Sequence, residues 1–336
     1  MWSLKPFKAL GSDGIHAGFF QRFWPIVGRL IVREVKRFLL NRTHIALIPK
    51  IQRPETLGNY RPISLCNIVY KVVTKIIVTK IIVARLRPYL DKLISPLQAA
   101  FVLGRKGVDN AIITQEIVHS LERKRGRMGY MALKIDLEKA YDKLEWNFIR
   151  EALLRANLPA DLIDIIMSCV FSVSTSILFN GEATDPIFPS RGIRQGDPLS
   201  PYLFILCMAF LDQLIEEKCN DNLWYPVKAS QSGPAFSHLM FADDVLFFAR
   251  ADGINCLTIR DVLDEFCLLS RQTLSEAKSR VYFSLNVDRD TRESLCDILG
   301  FSSTPFLGKY LRFPFQHLGS SSQDYNFILD RAKQKL

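Results

Sequence analysis

The spacing of apolar residues divides the chain into helical and extended segments. Positions three and four apart are apolar in seven segments, which predicts amphipathic helices there. These helices cover about residues 17–40, 67–86, 108–123, 146–156, 160–172, 203–218 and 255–270. Short alternating or continuous apolar runs predict strands. These strands cover 44–50, 131–137, 174–181 and 280–285, together with the two runs that flank Asp243 and Asp244.

Two adjacent carboxylates, Asp243 and Asp244, interrupt the apolar stretch from His238 to Ala249. The pattern predicts a hairpin with both aspartates in the tight turn at its tip. Two carboxylates between apolar strands repel each other and lose hydration, which favours a cation beside them. A divalent metal ion suits oxygen ligands of this kind. Considered alone, the pair favours an ordinary acidic turn, and only the rest of the chain reverses that preference.

A third carboxylate, Asp136, ends a strand whose apolar residues alternate. Met131, Leu133 and Ile135 fall on one face of this strand and Asp136 falls on the other. If the strand is a neighbour of the hairpin in one antiparallel sheet, the three carboxylates converge. Such a set suits two metal ions roughly 3.5–4 Å apart that stabilise the oxygens of a phosphoryl transfer.

Basic residues occur in two turn regions. Lys50 and Arg61 flank a predicted hairpin, where they could bind phosphate oxygens or lie as solvated surface charges. The loop 97–107 carries Gly104 and Arg105, and its glycines allow close approach to a nucleic-acid backbone.

One apolar helix contains a tandem duplication. The five residues Thr74–Val78 are repeated unchanged as Thr79–Val83. Five residues are not a whole number of helical turns, so the insertion rotates everything beyond it by over a third of a turn. A chance repeat in an apolar helix is the alternative.

The composition fits a globular protein and changes the functional picture mainly through charge. The chain has 336 residues, 48% of them hydrophobic, and a net charge of +10. This charge favours a polyanionic partner such as nucleic acid, although an ordinary basic protein stays open.

Cysteine, histidine and apolar patterns exclude other classes. The seven cysteines form no Cys-x-x-Cys pair and the five histidines form no His-x-x-x-His pair, so a zinc site is unsupported. Scattered single cysteines fit a reducing compartment, and we expect an intracellular protein, nuclear or cytoplasmic. The longest apolar run, 203–211, is too short to span a bilayer, so no membrane partner is expected.

With these motifs in order, the chain resembles the reverse transcriptase domain of non-LTR retrotransposons (long interspersed elements), in the form widespread in plant genomes. The resemblance extends from Lys8 to Leu336 and implies an α+β, right-hand polymerase fold. The motifs that carry it are Lys8–Gly14, Ile48–Lys50, Arg61–Leu65, Asp136 with Ala140–Asp142, Arg194–Pro201, Phe241–Asp244, Ala277–Ser279 and Lys309–Leu311.

The resemblance implies a catalytic centre with two Mg²⁺ or Mn²⁺ ions. Asp136 and Asp243 correspond to the main metal ligands, with Asp244 beside them and the backbone carbonyl of Leu137 as a further ligand. Lys278 corresponds to a general acid for the pyrophosphate leaving group, or to a phosphate contact.

The resemblance also implies a nucleotide site. Tyr141 matches the aromatic residue that rejects a ribose 2′-hydroxyl, although a core tyrosine is the alternative. Gln195 and Gly196 would lie near the incoming dNTP and template, and Lys50 and Arg61 would hold the triphosphate.

Primer and template contacts are implied as well. Tyr310 and Leu311 match the primer-grip hairpin, and Gly104 and Arg105 would contact an RNA template. The expected partners are therefore an RNA template, a DNA primer and dNTPs.

The expected division of the chain follows the same resemblance. Residues 1–44 would extend the fingers, 45–316 would form the reverse transcriptase domain and 317–336 would begin the thumb. Within the domain, fingers would cover about 45–130, palm about 131–300 and the primer-grip hairpin about 301–316.

Several positions depart from the family pattern. Leu10 and Ser12 replace prolines, the link after Leu40 is short, and Arg312 replaces a glycine. Together with the duplication at 74–83 and the expected lack of an endonuclease, a complete thumb and an RNase H, they indicate a degenerate element truncated at both ends.

Three functions follow from the sequence. The first is an RNA-directed DNA polymerase that extends a nucleic-acid 3′-hydroxyl with dNTPs. The second is an inactive remnant that binds nucleic acid through its basic surface. The third is a group II intron-type maturase. The residues of the motifs at 194–201 and 241–244 and the expected lack of a maturase extension disfavour it.

Overall fold

The fold comes from a computed structural model. It describes residues 17–23, 25–26, 42–66, 93–179, 182–230, 232–305, 307–311 and 313–314. The motif at 8–14, the helix predicted over 67–86 with its duplication, Arg312 and the expected thumb lie outside these residues.

The described residues contain both helices and strands, among them most of those that the apolar pattern predicts. The helices are α1 (Ala17–Arg22), α2 (Gly107–Arg123), α3 (Ala140–Lys143), α4 (Trp146–Arg155), α5 (Ala160–Phe171), α6 (Ser200–Asn220), α7 (Gly253–Ser270) and α8 (Arg289–Leu299). The strands are β1 (Arg42–Pro49), β2 (Tyr60–Cys66), β3 (Tyr130–Asp136), β4 (Ser174–Phe179), β5 (Glu182–Ala183), β6 (Val227–Lys228), β7 (Ala235–Phe236), β8 (His238–Phe241), β9 (Asp244–Arg250), β10 (Arg280–Phe283), β11 (Ser302–Ser303), β12 (Lys309–Tyr310) and β13 (Phe313–Pro314).

The chain forms two compact units, each built from two separate stretches. The first unit comprises Met1–Ile94 and Lys139–Cys207, and the second comprises Ser95–Glu138 and Met208–Leu336. The predicted boundaries of fingers, palm and thumb stay a prediction.

The first unit contains a four-stranded sheet in the order β2-β1-β4-β5. Strands β1 and β2 form the antiparallel hairpin that the sequence predicts, with Ile48 opposite Arg61. Strand β4 runs parallel to β1 and pairs antiparallel with β5.

The second unit is built on a five-stranded sheet in the order β11-β10-β3-β9-β8. Strand β3 therefore lies between β9 and β10, and it is antiparallel to both. This confirms the expectation that the Asp136 strand and the acidic hairpin are neighbours in one antiparallel sheet.

Both faces of this sheet are covered. One face packs Ala132, Leu246 and Phe248 against α2, in a cluster that includes Ile117 and Leu121. On the other face, Sδ of Met131 lies 3.9 Å from Sγ of Cys256 in α7. Burial on both sides explains why β9 is a continuous apolar run rather than an alternating one.

Helix α8 is absent from the sequence prediction, although both of its ends carry cap residues. Asp288 caps its N-terminus by accepting from the Thr291 N–H, and Gly300 ends it with a φ of 73°. No helix in the described part of the chain is long and apolar enough to cross a membrane.

Candidate functional site

The acidic hairpin is formed by β8 and β9, but its turn begins one residue earlier than the sequence predicts. Ala242 and Asp243 make the turn, and Asp244 is the first residue of β9, paired with Phe241. The prediction that both aspartates lie in the turn is therefore wrong for Asp244. The physical reason is that a two-residue turn closes the hairpin, with Ala242 in the left-handed region at a φ of 56°.

Strand register brings Asp136 next to Asp244. The two residues are direct partners across β3 and β9. Directly opposite residues project from the same face of a sheet, with Cβ atoms about 4.5–5.5 Å apart. Two of the three predicted carboxylates are therefore neighbours at one end of the sheet.

The charges around Asp244 act on its ionisation. The pKa of Asp244 is raised, first by desolvation of its carboxylate and then by the neighbouring charge of Asp243, although the residue is largely exposed. Asp136 raises it further, while Lys134 opposes the shift. Repulsion of this kind means that a cation at this end of the sheet would be bound favourably.

Lys278 supplies one cation beside the pair. Its Nζ lies 3.5 Å from Oδ1 of Asp136, in an ion pair whose side chains are 69% and 35% exposed. Exposed pairs of this length contribute little to stability. The contact does show that the predicted proton donor and the first predicted metal ligand are adjacent.

The backbone after β3 is held by the segment 273–279. The Ser275 N–H donates to the Asp136 carbonyl and the Glu138 N–H donates to the Thr273 carbonyl, each at 2.8 Å. Neither bond uses the Leu137 carbonyl, which is the predicted backbone ligand. A third bond, from the Asp136 N–H to Oγ of Ser279 at 3.1 Å, fixes the end of the strand.

The carboxylates of Asp136, Asp243 and Asp244 have the chemistry that a divalent cation requires. Their arrangement does not form a complete set of metal ligands. The described residues contain no group of three His, Cys, Asp or Glu side chains arranged to hold a metal ion. Asp136 and Asp244 are the neighbouring pair, and Asp243 acts on Asp244 through its charge. Asp243 and the Leu137 carbonyl as ligands therefore stay predictions.

Arg105, one of the predicted template residues, has partners within the protein. Its guanidinium donates to the carbonyls of Ser95 and, at 2.8 Å, Gln98. Gly104 precedes it with a φ of 84° and has no atom within 4 Å of the position a Cβ would take. The open space beside Gly104 leaves room for the predicted close approach.

Tyr310 and Leu311 lie in the same unit as the aspartates. Tyr310 is 1% exposed within the cluster around α2, and its pKa is raised by desolvation, with Asn110 opposing and Asp244 adding to the shift. Leu311 packs against the same cluster, close enough that a Cβ on Gly107 would lie 3.0 Å from its Cδ1.

In the first unit, Tyr141 is backed by a second aromatic ring. It stacks on Phe204 with ring centroids 4.6 Å apart and planes inclined by 7°. Its carbonyl accepts from the Ile193 N–H at 2.8 Å. The predicted sugar-selecting ring is therefore attached to the motif at 194–201 through α6 on one side and through Ile193 on the other.

Gln195 lines a cleft of the first unit. The other polar residues of this cleft are Asp142, Thr175, Arg191 and Arg194. Desolvation raises the pKa of Asp142, which Lys139 opposes. The next residue, Gly196, is exposed and has a φ of 95°.

Lys50 and Arg61 lie at the loop end of the β1–β2 hairpin. Both are exposed, and Nζ of Lys50 donates to the Gly58 carbonyl at 3.0 Å. Pro62, next to Arg61, lines the same cleft as Gln195.

Three residues that support these positions were not identified from the sequence. Phe204 backs Tyr141, and Asp197 forms a buried ion pair with Arg194 at 3.1 Å. Gln98 accepts from the Ala242 N–H across 144 positions. Only the Asp197 role has a local signal, because it stands three residues after Arg194 and before a helix.

The comparison with known proteins agrees with this geometry. The family model described as reverse transcriptase (RNA-dependent DNA polymerase) matches residues 48–308. The chain therefore belongs to the reverse transcriptase family, and its mixed α and β fold is that of a right-hand polymerase.

The chain is similar to proteins of transposable elements. It is 30% identical over 209 residues to the transposon TX1 uncharacterized 149 kDa protein of Xenopus laevis, covering 60% of this chain and 15% of that protein. It is 29% identical over 203 residues to the Pol polyprotein of the retrotransposable element R2DM of Drosophila melanogaster, covering 60% and 18%. The chain spans less than a fifth of the length of either of these two relatives.

Among solved structures, apo telomerase from Candida tropicalis has a similar fold. The TM-score is 0.51 at 14% identity, over 84% of this chain and 59% of that one.

Proposed function

We propose that this domain is an RNA-directed DNA polymerase that extends a primer 3′-hydroxyl with dNTPs on an RNA template. The observation that carries the proposal is the direct pairing of Asp136 with Asp244, beside the turn that bears Asp243. The family assignment and the net charge of +10 support a nucleic-acid template.

The carboxylates of Asp136, Asp243 and Asp244, with the Leu137 carbonyl, would hold two Mg²⁺ or Mn²⁺ ions. Bound divalent ions supply positive charge for the attacking and leaving oxygens of the phosphoryl transfer. Lys278 places an ammonium beside Asp136, where Nζ can give a proton to the pyrophosphate oxygen as it leaves.

The residues of the first unit bind the incoming nucleotide in this proposal. Lys50 and Arg61 pair with triphosphate oxygens through charge. Tyr141, held flat against Phe204, excludes a ribose 2′-hydroxyl, and Gln195 and Gly196 contact the nucleotide and template. In the second unit, Gly104 and Arg105 approach the template, and Tyr310 and Leu311 support the primer end.

The test is primer extension by the purified 336-residue chain on a primed RNA template, with dNTPs and Mg²⁺. We expect incorporation that depends on the metal, and a loss of about 10³-fold in the rate for Asp243→Asn, because several kcal/mol of charge stabilisation disappear. Asp261→Asn, which removes an exposed carboxylate on α7, is the matched control and should behave as the parent.

The contrary result is equally clear. A parent chain that incorporates no dNTP, with Asp243→Asn indistinguishable from it, would refute the polymerase. Salt-sensitive RNA binding without synthesis would then favour a nucleic-acid-binding remnant.

A further inference from the structure

The side-chain amide of Gln98 joins a distant loop to the turn that carries Asp243. Gln98 is 4% exposed, and its Oε1 accepts from the Ala242 N–H at 3.1 Å and from the Ala100 N–H at 2.9 Å. Both partners are donors, so the acceptor must be the amide oxygen, because a flipped amide would place an NH₂ group against two N–H groups.

Ala242, the first residue of the turn, takes no part in the hydrogen-bond ladder of the hairpin. The turn therefore depends on the bond from the Ala242 N–H to Gln98. The β8–β9 register ends at Phe241 and Asp244, so Ala242 lies beyond the last pair. Ala242 is 5% exposed and has a φ of 56°, so its N–H is shielded from water in a backbone conformation that alanine seldom adopts. A shielded N–H without an acceptor is costly, and Gln98 removes that cost.

The loop that bears Gln98 is itself fastened to the outer edge of β8. The Ala99 N–H donates to the Met240 carbonyl at 3.0 Å, and the Met240 N–H donates to the Leu97 carbonyl at 2.9 Å. Nδ2 of Asn110 reaches the same Met240 carbonyl at 2.9 Å. The Arg105 guanidinium then bonds the Gln98 carbonyl, so the amide is presented to the turn from a braced backbone.

We propose that Gln98 is a positioning residue that fixes the Ala242–Asp243 turn and thereby aims the Asp243 carboxylate for metal binding. The part concerning metal rests on the proposed function, whereas the part concerning the turn does not. Gln98 acts only through the backbone of Ala242. Arg105 supports the Gln98 loop in addition to any contact it makes with a template.

Backbone hydrogen exchange tests the turn directly. Gln98→Met keeps the size and apolar body of the side chain but removes the acceptor. We expect the Ala242 amide to exchange about 10-fold or more faster in the full chain, while the amides from Leu246 to Arg250 of β9 are unchanged. Unchanged exchange at Ala242 would overturn the proposal.

Asn255→Leu is the matched control. Asn255 is a fully buried amide in the same unit, and its Oδ1 accepts from the Tyr225 N–H at 2.8 Å. It lies near the start of α7, beyond the opposite end of β9 from Asp244. This variant should lose a comparable bond and leave exchange at Ala242 as in the parent. Faster exchange at Ala242 in both variants would show general loosening and contradict a specific role.

Gln98→Glu provides rescue, because a carboxylate oxygen can still accept from both N–H groups. Its Ala242 amide should exchange within about twofold of the parent. Exchange about 10-fold or more faster than in the parent would overturn the claim that the accepting oxygen holds the turn, and this comparison with the parent remains decisive if the methionine variant fails to fold.

Binding of Mn²⁺, followed by electron paramagnetic resonance, tests the consequence for the metal. We expect Gln98→Met to weaken Mn²⁺ binding by about 10-fold, or about 1.4 kcal/mol, and Asn255→Leu to match the parent. Unchanged affinity in Gln98→Met overturns the aiming of Asp243. A parent that binds no Mn²⁺ refutes the metal site of the proposed function, while hydrogen exchange still decides whether Gln98 holds the turn.

Discussion

Gly192 shows how a single backbone position brings the loop before Arg194 onto the segment that contains Tyr141. Its φ is 85°, and a Cβ placed on it would lie 2.6 Å from the Asp142 carbonyl oxygen. Its N–H donates to the Leu144 carbonyl at 2.7 Å and its carbonyl accepts from the Trp146 indole at 2.8 Å. Because Gly192 has no side chain, the loop that contains it can lie directly on the segment that contains Tyr141.

We expect Gly192→Ala to lower the free energy of unfolding by about 2 kcal/mol more than Gly104→Ala does. Both glycines have nearly the same φ, 85° and 84°, but only Gly192 has backbone within reach of an added Cβ. Denaturant unfolding of both variants measures the difference. Equal losses would mean that backbone strain alone matters and that the close approach to Asp142 does not.

At the scale of single residues, the sequence predicts which element a residue belongs to better than it predicts which residues it contacts. The prediction that the Asp136 strand is a neighbour of the acidic hairpin is confirmed, whereas the direct pairing of Asp136 with Asp244 is not predicted by the sequence. The bond between Gln98 and Ala242 joins residues 144 positions apart, and nothing local distinguishes that glutamine. The place of Asp244 in β9 rather than in the turn also could not be predicted, because alanine in a left-handed conformation leaves no sequence signal.

At the scale of elements, the apolar period predicts most helices and strands but not how many faces they bury. Strand β3 alternates as expected, yet Ala132, on the face assigned to Asp136, is completely buried. Helix α2 covers that face, and a small apolar residue there is required by the close packing. Helix α8 was missed because its apolar positions are few, and only Leu295 and Leu299 are buried.

Helix α8 also gives a prediction on pH. The Asp288 carboxylate accepts from the Thr291 N–H at 2.9 Å and from the Thr291 hydroxyl at 2.7 Å, and these bonds lower the pKa of Asp288 below its usual 3.8. A lowered native pKa stabilises the folded state above the unfolded pKa, and this contribution is lost as pH falls through the native value.

Asp288→Asn keeps a side-chain oxygen that can accept a hydrogen bond from Thr291, but it removes the carboxylate that titrates. We therefore expect the parent to exceed the asparagine variant in free energy of unfolding near neutral pH, and the difference to shrink as the pH falls below about 4. Chemical denaturation at several pH values measures it. A difference that stays constant down to pH about 3 would contradict this role of the Asp288 charge.

At the scale of the molecule, the sequence predicts the reverse transcriptase family and the right-hand polymerase fold, and the comparisons confirm both. It does not predict the division into two units, because each unit joins stretches that are far apart in the chain. Contacts between distant stretches depend on tertiary packing, which local periodicity does not encode.

The net charge of +10 makes nucleic-acid binding sensitive to salt. If the surface neutralises about four phosphates of a single strand, raising the salt from about 50 to 200 mM should weaken binding about 50-fold. Fluorescence anisotropy with a labelled single-stranded RNA measures this slope. An affinity independent of salt would argue against the basic surface as the binding element.

The interleaving of the two units has a consequence for proteolysis. The chain passes between them after Ile94, Glu138 and Cys207. Because each unit is built from two separate stretches, a single cleavage cannot yield a fragment that corresponds to one unit. A nick in an exposed loop between these points should leave two pieces that stay associated until denaturant separates them, and neither unit can be obtained by simple shortening from one end.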